Sequence, residues 1–331
     1  MVTINDIARL AGVSRTTVSR VLNNSGYVGE EAKKKILAVI AETGYVPSEQ
    51  AKSLRTKRTK VIGVILPKIS TETASRVVDG IDKELSQHGY QILLASSNLQ
   101  VEKEIEQLRL LQSRRVDGIV IVATNTDEKL MKEIHEVKIP IVVLGQDVKG
   151  VTSVIYNDYD AAKDVTTLLA EKGHRRIGFI GVSEKDPAVG YYRKKGYLDA
   201  LTENGLMADE KLVKEGIFNI QSGYSAMMAM FADTSDAPTA VVAVTDRLAV
   251  GALQALREKN IRIPDDISLF GMGNSVMSEY LQPPLSTVEF YNEQAGKEAA
   301  VLLLEQLNKQ EEVVNKKIII NYRLIERGSL L

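Results

Sequence analysis

Residues 3–23 read TINDIARLAGVSRTTVSRVLN, and this stretch decides how the N-terminal end of the chain folds. Apolar side chains recur at three- and four-residue spacing before Gly12, as one face of a helix requires. Thr3 is suited to cap that helix, because its hydroxyl can accept from free N–H groups and Asp6 follows three residues later. Gly12 interrupts the pattern, and Ser14 can cap a second helix. The stretch therefore predicts two short helices joined by a tight turn.

The second helix has two unlike faces. At about 100° per residue, Val18 lies on an apolar face, and Arg15 and Arg20 lie outside it among small hydroxyl side chains. Arginine can bind guanine edges or phosphates, and small side chains let a helix enter the major groove closely. The alternative is an ordinary amphipathic pair with a solvated polar face. We predict a recognition helix with the DNA-binding residues Ser14, Arg15, Thr16, Thr17, Ser19, Arg20 and Asn23.

The charge distribution favours a nucleic-acid partner at this end of the chain. The first 60 residues carry eleven basic and five acidic side chains, a net charge of +6, which leaves −7 for the rest of a chain whose net charge is −1. A basic end on an acidic body is typical of a protein that presents one end to phosphates.

The composition excludes several classes of protein. The 331 residues suffice for two or three domains, and 44% of them are hydrophobic, as in globular proteins. The absence of cysteine excludes a disulfide framework and thiolate zinc sites, and it suits a reducing cytosol. Neither a signal peptide nor an apolar run of about 20 residues is present. We expect a cytoplasmic protein without a membrane span.

Beyond a third helix, predicted from Glu30 to Thr43 with Gly44 as its stop, the pattern changes. From Val61 onward, short apolar segments alternate with amphipathic ones. The predicted strands are Val61–Leu66, Gln91–Ala95, Gly118–Ala123, Ile139–Leu144, Ile177–Ile180, Thr239–Val244 and Ile267–Phe270. The predicted helices are Ala74–His88, Val101–Ser113, Asp160–Lys172, Tyr192–Glu203, Ser222–Asp233 and Arg247–Lys259. This alternation indicates two parallel α/β subdomains with a cleft between them.

The stretch TINDIARLAGVSRTTVSRVLN resembles the headpiece of the lactose/galactose repressor family, and looser similarity extends over nearly the whole chain. The resemblance implies three parts, a helix-turn-helix headpiece over 1–47, a hinge helix over 48–59 and a periplasmic-binding-protein-like core over 60–331. In that family the hinge orders on operator DNA and wedges a leucine into the minor groove. The matching residue is Leu54, with Ala51 beside it and Arg55 placed for phosphate or groove contacts. Alternatively, Leu54 contacts the headpiece core.

The family's core crosses between its two lobes three times, and we place the crossings near Asn157, Glu289 and Lys317. The expected lobes are about 60–156 with 290–316, and about 158–288 with 318–327. Nothing after the core carries the heptads of a tetramer-forming coiled coil. A homodimer is therefore expected.

Ligands of open α/β sheets bind beyond the carboxyl ends of the strands. The resemblance identifies Arg193, in the motif YRKKGY, as an arginine that points into the cleft, and Phe218 as a platform for a sugar ring. It identifies Asp246, beside Thr245, as a strand-end motif. The alternatives are a helix-surface arginine, a core phenylalanine and a helix cap. The predicted effector-binding residues are Thr71, Thr73, Thr124, Gln146, Arg193, Phe218, Thr245, Asp246, Asn274 and Phe290.

One position departs from the family pattern. Many members carry an aspartate where this chain has Gly273, and that carboxylate binds sugar hydroxyls. A clamp of that kind on a neutral sugar is therefore in doubt. The departure is compatible with a phosphorylated sugar, since an unpaired buried acid would disfavour a phosphate.

The sequence contains no catalytic constellation. Its three histidines are dispersed, and residues 271–276 match a dinucleotide fingerprint only in part. We expect no catalytic site, metal or cofactor.

The sequence favours a repressor of a carbohydrate-utilisation operon. We expect it to bind a pseudo-palindromic operator as a homodimer and to respond to a sugar or sugar phosphate. The alternatives are control by a phosphorylated partner protein or a purine, and a sugar-binding protein that does not bind DNA.

Overall fold

The structure is a computed structural model that describes residues 2–46, 58–232, 237–308 and 314–331. The chain divides into two compact units, Met1–Lys60 and Val61–Leu331. The predicted hinge residues Ala51, Leu54 and Arg55 lie outside the described residues.

The first unit contains three helices, α1 (Ile4–Leu10), α2 (Arg15–Leu22) and α3 (Glu30–Thr43). Thr3 and Asp6 form the predicted capping box, with the Asp6 N–H donating to Thr3 Oγ1 at 3.3 Å and the Thr3 N–H donating to Asp6 Oδ2 at 3.1 Å. Gly44 ends α3 at a φ of +61°, which glycine adopts without strain. The core of this unit consists of the buried side chains Ile7, Ala8, Ala11, Val18 and Ile36. The three predicted helices are confirmed.

The second unit alternates strands and helices. Up to the first crossing it contains β1 (Val61–Leu66), α4 (Glu72–Gln87), β2 (Gln91–Ser96), α5 (Val101–Ser113), β3 (Gly118–Val122), α6 (Glu128–Glu136), β4 (Ile141–Leu144) and β5 (Thr152–Tyr156). The elements that follow are α7 (Asp158–Glu171), β6 (Ile177–Val182), α8 (Arg193–Glu203), β7 (Val213–Gly216), α9 (Ile220–Met230), β8 (Ala240–Ala243), α10 (Asp246–Glu258), β9 (Ser268–Met272), α11 (Val276–Tyr280), β10 (Ser286–Phe290), α12 (Asn292–Asn308), β11 (Lys317–Ile320) and β12 (Tyr322–Ile325).

These strands form two six-stranded sheets, one in each lobe. The first sheet has the order β11-β5-β4-β3-β1-β2 and is parallel throughout its described strands. The second has the order β12-β10-β9-β8-β6-β7, and β12 runs antiparallel to β10. In the first lobe Val64 packs with α4 and α12, whereas Ile65 packs with α5 and α6, so both faces of the sheet are buried. The predicted two parallel α/β lobes are confirmed.

Two of the three predicted crossings are displaced. The chain leaves the first lobe at Asn157, as predicted. It returns at Tyr291, two residues after the predicted Glu289, because Glu289 belongs to β10 of the second sheet. It crosses finally at Asn321 rather than near Lys317, because Lys317 pairs with β5 in the first sheet. Each crossing therefore consists of a single residue between two regular elements.

The second lobe also extends beyond the predicted limit at residue 327. Ser329 is fully buried, and its Oγ accepts from the Ser286 N–H at 2.7 Å. The Leu269 N–H donates to the Ser329 carbonyl oxygen at 2.9 Å. These bonds attach the C-terminal residues to β9 and β10.

The prediction of individual elements missed several, including α6, β5 and β7. The strand β7 reads VKEG at the edge of its sheet, with only Gly216 buried. An edge strand exposes much of its surface, so it lacks the apolar run that marks a central strand. Among the described residues, no helix has both the length and the apolar character needed to cross a membrane.

Candidate functional site

The first candidate site is the exposed face of α2. Ser14 caps this helix, its Oγ accepting from the Thr17 N–H at 3.1 Å. Val18 is fully buried in the core of the first unit, which turns Arg15 and Arg20 to solvent. This is the two-faced helix that the sequence predicts.

Four of the remaining predicted residues bond to one another in two pairs. Ser14 Oγ and Thr17 Oγ1 lie 2.8 Å apart. Asn23 Nδ2 donates to the Ser19 carbonyl oxygen at 2.5 Å and lies 3.2 Å from Ser19 Oγ. Ser14, Thr16 and Asn23 are exposed, and Thr17 and Ser19 are half-buried. That any of these residues contacts DNA stays a prediction.

The second candidate site is a cleft of about 230 Å³ between the two lobes of the second unit. It lies beyond the carboxyl ends of strands from both sheets, as the fold rule requires. Nine of the ten predicted effector-binding residues line it, namely Thr71, Thr73, Thr124, Gln146, Arg193, Phe218, Thr245, Asp246 and Phe290.

Asn274 is the exception, and the predicted set is corrected for it. Among the described residues, those that line the cleft include Gly273 and Ser275 but not Asn274. The side-chain Oδ1 of Asn274 accepts from Arg327 Nη2 at 2.9 Å. This bond directs the amide towards the C-terminal segment of the second lobe.

Arg193 is buried at the cleft, with 6% of the residue exposed. Its Nε and Nη2 donate to Asp158 Oδ1 at 2.7 and 2.6 Å, and its Nη1 donates to the Val244 carbonyl oxygen. The guanidinium carbon lies 4.6 Å from the centroid of the Phe290 ring. This placement rules out the helix-surface alternative. A guanidinium has five N–H donors, so these three bonds leave donors for a ligand.

The aromatic side chains of the cleft are also anchored. Phe290 packs edge-on against Tyr156 with ring centroids 5.5 Å apart, and Tyr156 Oη donates to Asn292 Oδ1 at 2.8 Å. Phe218 is half-buried, packs against the core of the second lobe and lines the cleft. Phe218 can therefore be part of the core and also serve as a platform for a ligand ring.

Asp246 joins three segments of the second lobe. Its Oδ1 accepts from Thr287 Oγ1 and its Oδ2 from the Ser275 N–H, each at 2.6 Å. Burial raises the pKa of this carboxyl, and the two hydrogen bonds oppose that shift. The cap of α10 is Thr245, whose Oγ1 accepts from the Leu248 N–H at 3.3 Å. The cap alternative for Asp246 is thereby excluded.

Gly273 follows β9 at a φ of +137°, a conformation that strains any residue with a side chain. A Cβ at this position would lie 3.7 Å from Asp246 Oδ2. The local backbone therefore suits the glycine that the sequence carries.

Asp186 is a cleft residue that sequence reasoning missed. It precedes the π-helical segment Pro187–Tyr192, and its Oδ1 accepts from the Val189 N–H at 3.1 Å and from Gln146 Nε2 at 2.7 Å. Its Oδ2 is buried and has no hydrogen-bond partner among the described residues. Burial raises the pKa of this carboxyl to about 6. An aspartate directly before a proline, shortly after a buried strand, was the available signal.

Polar contacts connect the lobes around the cleft. One is the bond from Gln146 of the first lobe to Asp186 of the second. Another runs from Arg247 Nη2 to the Ser70 carbonyl oxygen at 2.7 Å. A third runs from the Val276 N–H to the two carboxylate oxygens of Glu72 at 3.0 and 3.1 Å. The cleft is thus enclosed by both lobes, and its aromatic rings, guanidinium and carboxylates can bind a small polar molecule.

Comparison with known proteins covers both units. The family described as "Bacterial regulatory proteins, lacI family" matches residues 3–48, and the "Periplasmic binding protein-like domain" matches residues 166–330. The HTH-type transcriptional regulator RegA of Clostridium saccharobutylicum is 35% identical over 330 residues, which is 99% of each chain. The HTH-type transcriptional repressor PurR of Vibrio atlanticus is 34% identical over 94% of this chain and 93% of its own.

Two solved structures resemble the chain over nearly its full length. The lac repressor dimer bound to operator and the anti-inducer ONPF has a TM-score of 0.90 and 26% identity, covering 100% of this chain and 99% of its own. The complex of the transcriptional regulator CelR with cellobiose has a TM-score of 0.76 and 29% identity, covering 99% of this chain and 100% of its own.

Proposed function

Because the chain belongs to the lacI family of bacterial regulatory proteins, a family of DNA-binding transcriptional regulators, we propose that it represses a carbohydrate-utilisation operon under the control of a sugar or sugar phosphate. It would bind a pseudo-palindromic operator as a homodimer. The cleft between its lobes would hold the effector and change the affinity for the operator.

The exposed face of α2 supports the DNA-binding part of this proposal. Arg15 and Thr16 would contact base edges, and Arg20 would contact bases or phosphates. The hydroxyl groups of Ser14, Thr17 and Ser19 and the amide of Asn23 already hydrogen-bond within the helix. Their remaining donors and acceptors would contact DNA and hold the helix in the groove. Two copies of this face would read the two halves of the operator.

An exposed sheet edge supports the homodimer. The edge strand β2 leaves Leu93 and Leu94 exposed to 42% and 40%, and Leu110 of the neighbouring α5 to 42%. Exposed apolar side chains on an edge strand favour association with another surface. A second copy of the chain would cover them, and the similar lac repressor is a dimer.

The observation that carries the effector part is the composition of the cleft. Two phenylalanines, a buried guanidinium and several hydroxyl and carboxyl groups converge on one enclosed volume. Phe218 offers a face to the apolar side of a sugar ring, and the polar groups offer hydrogen bonds to hydroxyls. CelR, which has the same fold, was solved with cellobiose.

A purine is the second candidate effector. A planar base would stack on Phe218 or Phe290 as readily as a sugar ring. Its ring nitrogens and exocyclic groups would hydrogen-bond to the same carboxyl and guanidinium groups.

The proposal is tested by operator binding in the presence of candidate effectors. An operator selected from genomic fragments would be titrated by fluorescence anisotropy, together with a scrambled duplex, while sugars, sugar phosphates and purines are added. We expect one class to change operator affinity at least tenfold, which corresponds to about 1.4 kcal/mol. No preference for the selected operator, or no change with any effector, would contradict the proposal.

Phe218→Leu refines this test, because leucine keeps apolar volume and removes the ring face. We expect it to weaken the effector response about 3- to 10-fold at unchanged operator affinity, since an aromatic pair is worth roughly 0.5–1.5 kcal/mol. Tyr280→Leu, at a residue that is 79% exposed, is the matched control. An unaltered dose response in Phe218→Leu would remove the ring from the effector site.

A further inference from the structure

The buried carboxyl group of Asp186 has an unused acceptor. Only 6% of the residue is exposed, and Oδ1 takes both of its hydrogen bonds. Oδ2 has no partner among the described residues, although Asp186 lines the cleft. A buried acceptor without a partner costs free energy, and a ligand that supplies a donor recovers it.

The buried lining of the cleft contains more acid than base. Asp158, Asp186 and Asp246 are each at most 6% exposed, and Arg193 is the buried cation among the described lining residues. Asp158 already neutralises Arg193 through two short hydrogen bonds. The surplus charge therefore comes from Asp186 and Asp246, of which Asp246 accepts bonds at both of its oxygens.

Two further cations line the cleft, but they are not buried. Lys68 and Arg247 are both half-exposed, and Arg247 donates to the Ser70 carbonyl oxygen. Water and salt screen charges in such positions, so they offset a buried negative charge only weakly.

We propose that Asp186 determines effector specificity, its carboxylate accepting a hydrogen bond from an O–H or N–H group of an uncharged effector and rejecting the phosphorylated form of the same molecule. This inference rests on the proposed function, since it assumes that the cleft holds the effector. On sequence alone, Gly273 is compatible with a phosphorylated sugar, because the glycine removes a buried acid from the cleft. The inference reverses that expectation, because Asp186 supplies an unpaired buried acid at a different position.

The bond between Gln146 and Asp186 gives this contact a second consequence. It joins the two lobes through Oδ1, so the carboxyl group of Asp186 lies where the lobes meet. Oδ2 of the same carboxyl group has no hydrogen-bond partner among the described residues in this arrangement of the lobes. A donor-bearing effector would satisfy that oxygen in the same arrangement and so favour it.

The test is isothermal titration calorimetry of the full chain with matched ligand pairs. The pairs are glucose and glucose 6-phosphate, galactose and galactose 6-phosphate, cellobiose and its 6′-phosphate, and inosine and inosine monophosphate. We expect an unphosphorylated member to bind, and its phosphorylated partner to bind at least 100-fold more weakly.

Asp186→Asn is the informative variant. Asparagine keeps an oxygen for Gln146 and Val189, and it replaces the unpaired oxygen by a donor without charge. We expect it to weaken binding of the unphosphorylated member about 10- to 100-fold, as the loss of a hydrogen bond to a charged group does, and to reduce the preference over the phosphate. Asp265→Asn removes an exposed carboxylate that does not line the cleft and should change neither quantity.

Three results would overturn the inference. They are equal or tighter binding of a phosphorylated member, no binding of any unphosphorylated member, and wild-type affinity and preference in Asp186→Asn. Operator titrations of the same samples separate this failure from that of the proposed function. A phosphorylated ligand that changes operator affinity would leave the proposed function intact and refute the role of Asp186.

Discussion

The exposed face of α2 and the cleft between the lobes are built in opposite ways. On α2 the predicted contact residues fall within ten positions of the chain, and Arg15 and Arg20 extend into solvent. In the cleft, groups from distant segments are buried and bonded to one another, as Arg193 is to Asp158. Substitutions of exposed side chains have nearly independent effects. A substitution in a buried polar network changes the free energy of the other members of the network as well. Substitutions of Arg15 and Arg20 should therefore change DNA binding alone, and substitutions in the cleft should change stability and ligand binding together.

The largest effect is expected at the buried ion pair. Asp158→Ala would leave the Arg193 guanidinium buried without its counter-charge, which costs about 3–5 kcal/mol in comparable pairs. Urea unfolding of the full chain would measure the loss, with Asp265→Asn as control. Arg193→Ala should destabilise for the reciprocal reason, so an effector defect in that variant needs a stability measurement beside it. A loss below about 1 kcal/mol would show that the pair is not a buried unit.

The double variant Asp158→Leu with Arg193→Met tests whether the two losses share one cause. Replacing both charges by apolar groups of similar size leaves no unpaired charge. We expect the double variant to be more stable than Asp158→Leu alone and than Arg193→Met alone. Additive losses would contradict the coupling that distinguishes the cleft from α2.

A smaller effect, without coupling, is expected on α2. Arg15→Ala should reduce operator affinity by about 1–3 kcal/mol if the guanidinium contacts a base. Its unfolding free energy should stay within about 0.5 kcal/mol of the wild type, because the side chain is exposed. Anisotropy and urea titrations of one preparation measure both. An equal drop in affinity for scrambled DNA would assign Arg15 to phosphates rather than to bases.

The smallest effect concerns pH. The pKa of Asp186 is raised to about 6 in the folded chain, so folding favours its protonated form. Stability should therefore fall as the pH rises from the unfolded pKa near 4 through 6. Between pH 5 and 7.5 this group alone should cost roughly 1 kcal/mol. Subtracting the same series for Asp186→Asn removes the contribution of other groups, including Asp246. A pH dependence identical in both proteins would refute the assignment.

The same contrast explains how much the sequence could predict. The cap at Ser14, the turn at Gly12 and the buried Val18 follow from neighbouring residues, and all were predicted correctly. The resemblance supplied most of the lining of the cleft, but Asn274 was misplaced because its bond to Arg327 spans 53 positions. Asp186 was missed because its contact with Gln146 joins two positions that are 40 residues apart and lie in different lobes. Contacts of this kind arise only once the lobes are assembled.

The three crossings between the lobes also limit how the second unit can deform. Asn157, Tyr291 and Asn321 each stand alone between regular elements that belong to different lobes. One residue advances the chain by about 3.8 Å, so such a link can turn through its backbone dihedrals but cannot stretch. Three such links side by side form a short hinge between the lobes. This hinge permits one lobe to rotate relative to the other and resists translation of one lobe against the other. A rotation of a few degrees about this hinge would move each residue of a lobe in proportion to its distance from the hinge. The residues farthest from the hinge would therefore be displaced most.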